Sequence, residues 1–96
     1  MSKQRGEEVG KRHLELLKAI DEVARRDPAG VSTSYKAADK VGLDLVCKQA
    51  DRQEFMHRAH ELEEAGYVNV GGITYLGLRA SYAPTDEGHR RLLEES

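Results

Sequence analysis

Ninety-six residues suffice for one modest hydrophobic core and not for two, so 1–96 reads as a single domain with 1–7 as a frayed tail. A lone cysteine, Cys47, excludes an internal disulfide and suits a reducing, cytoplasmic setting. With 15 basic against 17 acidic side chains, the net charge of −2 argues against a protein that holds nucleic acid by bulk charge alone.

There is no Trp and only one Phe, so Leu, Val, Ile, Ala and Tyr must fill the core. No apolar run approaches the length of a bilayer span, and no signal-peptide core is present. Helical periodicity begins near Glu8. Val9, Leu16, Ile20 and Val23 form a stripe that Leu14, Leu17 and Ala24 widen. Arg25 and Arg26 suit the negative end of that helix, Pro28 stops it, and Asp27 to Gly30 form a turn. Val31 is placed to add a short strand.

Ser32, Thr33 and Ser34 supply a capping hydroxyl at each candidate start of a second helix. Tyr35, Ala38 and Val41 mark its inner side, Lys36 and Lys40 project from its outer side, and Gly42 closes it. The eight residues from Leu43 to Ala50 exceed a tight helical turn. Either Leu45–Gln49 makes an extra turn of helix, or one long helix runs from an Asp44 cap. The reading taken is a break, because Asp51 with Glu54 three residues on has the form of a capping box.

From Asp51 the chain reads as a helix that stops at Gly66 and passes into a strand at Tyr67–Val70. Phe55, Ala59 and Leu62 share its inner face. Gln53, His57, His60 and Glu64 point the opposite way, and Arg52 and Arg58 flank them. Gln, Arg and His can donate to phosphates and base edges, although such a face is also what a merely solvated helix could show. Between Ser32 and His60 five basic residues face four acidic ones, a local net of +1. From Gly71 to Arg91 three face two. Phosphate binding would therefore rest on orientation and be salt-sensitive.

Gly71-Gly72 reads as the turn of a hairpin. Leu78, Ala80 and Tyr82 share one face of its second strand, and Arg79 and Ser81 the other. Pro84 ends the strand. Thr85 caps a last helix with Asp86 and Glu87 in its first turn, and Leu92 and Leu93 would dock it.

The order is helix, short strand, helix, helix, hairpin, helix. Together with Glu-Leu-Glu-Glu-Ala-Gly-Tyr-Val at 61–68 and Tyr-Ala-Pro-Thr-Asp-Glu-Gly-His-Arg-Arg-Leu-Leu at 82–93, it resembles the winged helix-turn-helix superfamily, in particular its MarR and PadR types. Leu62, Glu63, Glu64, Gly66 and Tyr67 match the end of the family's recognition helix. Thr85 and Gly88 match the pattern after its wing. The resemblance, which runs from about Lys11 to Glu94, implies an α+β, mainly helical fold: a three-helix core, a wing of two or three strands and a short C-terminal helix. It also implies a DNA-binding transcriptional regulator with a recognition helix at about 51–65 in the major groove. Carried over by position, Gln53, His57 and Arg58 would face bases and Arg52 would lie between base and phosphate. Ser34, Lys36 and Lys48 would hold phosphates, and Arg79 would serve from the wing. The partner implied is double-stranded DNA.

The tip of this hairpin departs from the family pattern. Ile73, Tyr75 and Leu76 are apolar where a DNA-binding wing carries Arg or Lys. They suit either a two-fold homodimer or a protein partner, so the alternative function is a winged-helix protein–protein interaction module. His57, His60 and Cys47 do not make a metal site: their spacing is poor and a fourth ligand is lacking, while His13 and His89 read as surface histidines. Ser32, Thr33 and Ser34 lack an activating base, and the acid pairs do not converge. The expectation is therefore no catalytic residue, no cofactor and no metal.

Overall fold

The computed structural model describes residues 10–74 and 76–95. Among these the chain forms α1 (Lys11–Arg26), β1 (Ser32–Thr33), α2 (Ser34–Lys40), α3 (Gln49–Glu64), β2 (Val68–Ile73), β3 (Arg79–Pro84) and α4 (Asp86–Glu95). The fold is α+β and mainly helical, with four helices and one antiparallel sheet of order β1-β3-β2. No helix among the described residues is long and apolar enough to cross a membrane. The expectations for residues 1–7, Val9 and Tyr75 lie outside the described residues.

The first helix is the central element, packing against α2, α3, α4 and β3. Its buried side carries Leu16, Leu17, Ala19, Ile20 and Ala24, spacings that put them on neighbouring turns. Asp21 is buried among them and bonds Arg25 at 2.8 Å, with His89 Nδ1 of α4 3.4 Å from its other oxygen. The helix ends where a proline forces it to: Asp27, ahead of Pro28, takes an extended ψ of 133°. Its carboxylate then accepts from the Ala29 N–H at 2.9 Å and closes the turn.

The expected strand at Val31 lies one residue further on. Ser32 pairs with Tyr82 and Thr33 with Ser81, so β1 hydrogen-bonds to β3 and not to its neighbour in sequence. Of the three candidate caps Thr33 is the one used, its hydroxyl accepting from the Lys36 N–H at 3.1 Å. Both inner helices end alike. Gly42 (φ 78°) and Gly66 (φ 82°) take the left-handed conformation that a side chain would penalise. Leu43 N–H then reaches Ala38 O, and Tyr67 N–H reaches Leu62 O, each at 2.9 Å, completing a Schellman motif.

The hairpin turns later than the glycine pair suggests. Gly71 and Gly72 lie within β2, opposite Ser81 and Ala80, and the reversal comes only after Ile73, where β2 ends. The Thr74 N–H donates to Leu78 O at 2.7 Å, and its hydroxyl accepts from the N–H groups of Leu76 and Leu78. A threonine able to satisfy two turn amides defines this reversal better than flexible glycines do. Beneath the sheet Phe55 meets Tyr82 edge-on, ring centroids 5.7 Å apart, within a core that includes Leu16, Leu17, Ile20, Leu62 and Leu78.

The last helix is held by Thr85. Its N–H donates to Tyr67 O at 2.9 Å, its hydroxyl donates to Gly66 O at 2.6 Å, and that hydroxyl accepts the Gly88 N–H at 3.0 Å. Gly88 lies directly against this junction, where an added Cβ would overlap the Tyr67 carbonyl oxygen. Leu92 packs against the core as expected, whereas Leu93 is 76% exposed and does not dock.

Gly88→Ala should therefore lower stability by about 2 kcal/mol or more in urea titration, since overlap with backbone outweighs the ~1 kcal/mol that alanine offers a helix. An unchanged or raised midpoint would refute this packing. Burial pushes the Tyr82 phenol up from 10.0 to about 12. The unfolded chain releases that proton first, so stability intact below pH 10 should fall by up to about 2–3 kcal/mol as pH rises towards 12. Melting curves between pH 9 and 12 should show the loss, and Tyr82→Phe should flatten it.

Candidate functional site

Lys48 precedes α3, which starts at Gln49, so Asp51 is not its cap but stands in its first turn. The Asp51 carboxylate accepts the Asp44 N–H at 3.0 Å, and Asp44 in turn accepts from the N–H groups of Val46 (3.1 Å) and Cys47 (2.9 Å). These amides hold the Asp44 carboxyl below the usual carboxylate range, the Cys47 bond foremost. The break in the 43–50 segment is real, but it is a turn over 45–47 and not an extra helical turn to Gln49. Arg52 leans back over this turn, Nη1 lying 3.4 Å from Leu45 O, and keeps part of its surface free.

Glu54 does not reach back to a cap. It accepts from Arg58 Nε at 2.6 Å, one turn on, and that bond holds its carboxyl low. The Arg58 side chain is 8% exposed and Glu54 39%, so the guanidinium sits within the α3 packing and not on its outer face.

Along α3 the side chains of Gln49, Gln53, His57, His60 and Glu64 are exposed. Lys48 at the start of the helix and Lys36 on α2 are exposed too, as is Arg79 on β3. Ser34 is fully buried, with no hydrogen-bond partner for its hydroxyl, and has no surface to offer a phosphate. Of the residues expected to act together, Lys48 stands at the start of α3 with Arg52 and Gln53 in its first half, while Ser34 and Arg58 are withdrawn. Gln49 adds an exposed amide that the misplaced helix start hid. A groove of about 270 Å³ separates α3 from the hairpin, with Met56, His60 and Glu63 on one wall and Val70 and Arg79 on the other. At the hairpin end Ile73 is 69% exposed, but Leu76 is partly buried against the core.

His57, although exposed, has a neighbour from another helix. The His13 ring of α1 lies 5.9 Å away, centroid to centroid, with the planes 67° apart. His13 is not a surface histidine: both ring nitrogens are shielded from solvent and neither has a hydrogen-bond partner among the described residues. Burial, and then the His57 charge, hold its pKa below the ordinary value. His89, by contrast, is exposed. A second and larger groove of about 800 Å³ runs between α1 and α4, where Lys11, Lys18 and Arg25 alternate with Glu15, Asp21 and Glu22.

Comparison with protein-family models, with curated proteins and with solved structures finds no match to this chain.

The Glu54–Arg58 pair makes an asymmetric prediction. Glu54→Ala strands a buried guanidinium and should cost about 1–2 kcal/mol, discounted for the exposure of Glu54. Arg58→Met keeps the apolar stem, lets Glu54 hydrate and should cost less than about 1 kcal/mol. Urea titration of both decides it; the reverse order would place the guanidinium in solvent.

Proposed function

We propose that the chain is a winged-helix DNA-binding protein that acts as a transcriptional regulator. In this reading α3 is the recognition helix and enters the major groove by its N-terminal half, while the β2–β3 hairpin is the wing. The observation that carries it is the division of charge along α3. Lys48 stands just ahead of it and its first half presents Gln49, Arg52 and Gln53, while the two acids there are hydrogen-bonded, Asp51 to the Asp44 amide and Glu54 to Arg58. Glu61, Glu63 and Glu64 fall in the last turns, so the positive end of the helix is the end fit to meet a phosphate backbone. Lys36 from α2 and Arg79 from the wing supply further phosphate contacts, and Gln53 is placed for a base edge. Arg58 and Ser34 have no direct role in this arrangement. The exposed Ile73 favours a second reading, a module that docks on another protein through the hairpin end.

Fluorescence anisotropy with a duplex of arbitrary sequence at low salt tests the proposal. Three or four phosphate contacts predict a log–log salt slope of about −3. Lys36→Glu with Lys48→Glu should weaken binding at least tenfold and flatten the slope, while Gln53→Ala should change sequence preference more than affinity. Absence of binding at low salt would discard the DNA reading in favour of the protein-contact one.

A further inference from the structure

We propose that His13, His57 and Glu61 form a binding site for a divalent transition-metal ion, zinc foremost, that clips α1 to α3. The ligand atoms of all three lie within 4.8 Å of one another. His57 and Glu61 stand one turn apart on α3, the separation at which two helical side chains can hold one ion. His13 completes the set from the facing turn of α1. Two imidazoles and a carboxylate suit zinc, cobalt or nickel, and three protein ligands leave a coordination position open.

The state of His13 points the same way. A half-buried imidazole normally places at least one nitrogen in a hydrogen bond, and an unsatisfied buried polar group is unfavourable. Both nitrogens of His13 are sealed from solvent and unpaired, beside a second imidazole and a carboxylate. A coordinated ion satisfies one of them directly. Bonds of 2.0–2.1 Å at tetrahedral angles require ligand atoms about 3.3 Å apart, so the cluster must close by up to about 1.5 Å. His57 is exposed and Glu61 partly so, and rotation of those side chains supplies the movement. The nearby Arg58 cation would oppose a second positive charge, but Glu54 is already bonded to it. The carboxylate of Glu61 offsets part of the charge of the ion. Neither His60 nor Cys47 belongs to the cluster.

Titration of the metal-free full-length chain with Zn(II), followed by calorimetry, should give one ion per chain and a higher melting temperature. Co(II) should give the visible bands of a four- or five-coordinate nitrogen–oxygen site without a thiolate charge-transfer band. His57→Ala and Glu61→Gln, both at accessible positions, should each weaken Zn(II) binding at least tenfold, as should His13→Ala. His60→Ala and Cys47→Ser should bind as the parent does. Circular dichroism before metal addition checks that each variant is folded. Failure to saturate, or equal binding by folded His57→Ala and Glu61→Gln variants, would overturn the proposal. So would a loss in His60→Ala or Cys47→Ser as large as in the cluster variants. The site stands or falls independently of whether the chain binds DNA.

Discussion

One residue, Thr85, joins four segments of this chain through its hydroxyl and its amide. The Thr85 hydroxyl donates to the carbonyl of Gly66, just past α3, and accepts the Gly88 amide in the first turn of α4. Its own amide meets the carbonyl of Tyr67 at the entrance to β2. The exit of α3, the two strands and the last helix are thus fixed about a single point, and Gly88 is needed because the approach leaves no room for a side chain. With Gly66 turning the chain at positive φ, the direction of β2 relative to α3 follows. The angle between α3 and the hairpin, which shapes the groove between them, is therefore set from behind.

The same economy appears on the other side of α3. Asp44 and Asp51 accept from nearby amides and keep their charge, whereas Glu54 and Arg58 pair and cancel one another. The fully exposed polar side chains on the first half of the helix, Gln49 and Gln53, are neutral, and the exposed Lys48 stands just ahead of them. A protein with an overall charge of −2 can still present a local surface of the other character, because pairing and not composition decides which charges act at a distance.

Elements whose ends carry their own local chemistry were legible in the sequence. Gly42, Gly66, Pro28 and Thr85 each mark a boundary because a single residue's φ preference or hydroxyl is decisive there. The α3 start misled because the capping-box pattern at Asp51 and Glu54 is local, whereas the bonds that form reach seven residues back to Asp44 and one turn ahead to Arg58. Gly71-Gly72 misled because a glycine pair permits a turn without requiring one. The withdrawal of Ser34 and Arg58, and the meeting of His13 with His57, depend on how helices pack against one another. Helical periodicity gives the faces of one helix but not the rotation at which two meet. Pairing each histidine with an acid at i, i+4 leaves two candidates, His57 with Glu61 and His60 with Glu64, and only the packing of α1 on α3, which brings in His13, separates them.

Among the described residues the sheet order leaves β2 with one unpartnered side. A straight strand in that place would be a template for another copy of the chain, and the protruding Ile73 would strengthen the attraction. Gly72 stands in the way: its φ of 66° bends the backbone out of a regular ladder, and the Ala80 side chain 3.1 Å from where its Cβ would lie disfavours a bulkier replacement. The glycine that does not make the turn thus has another consequence: it breaks the regularity of the open edge against which a further strand would have to pair.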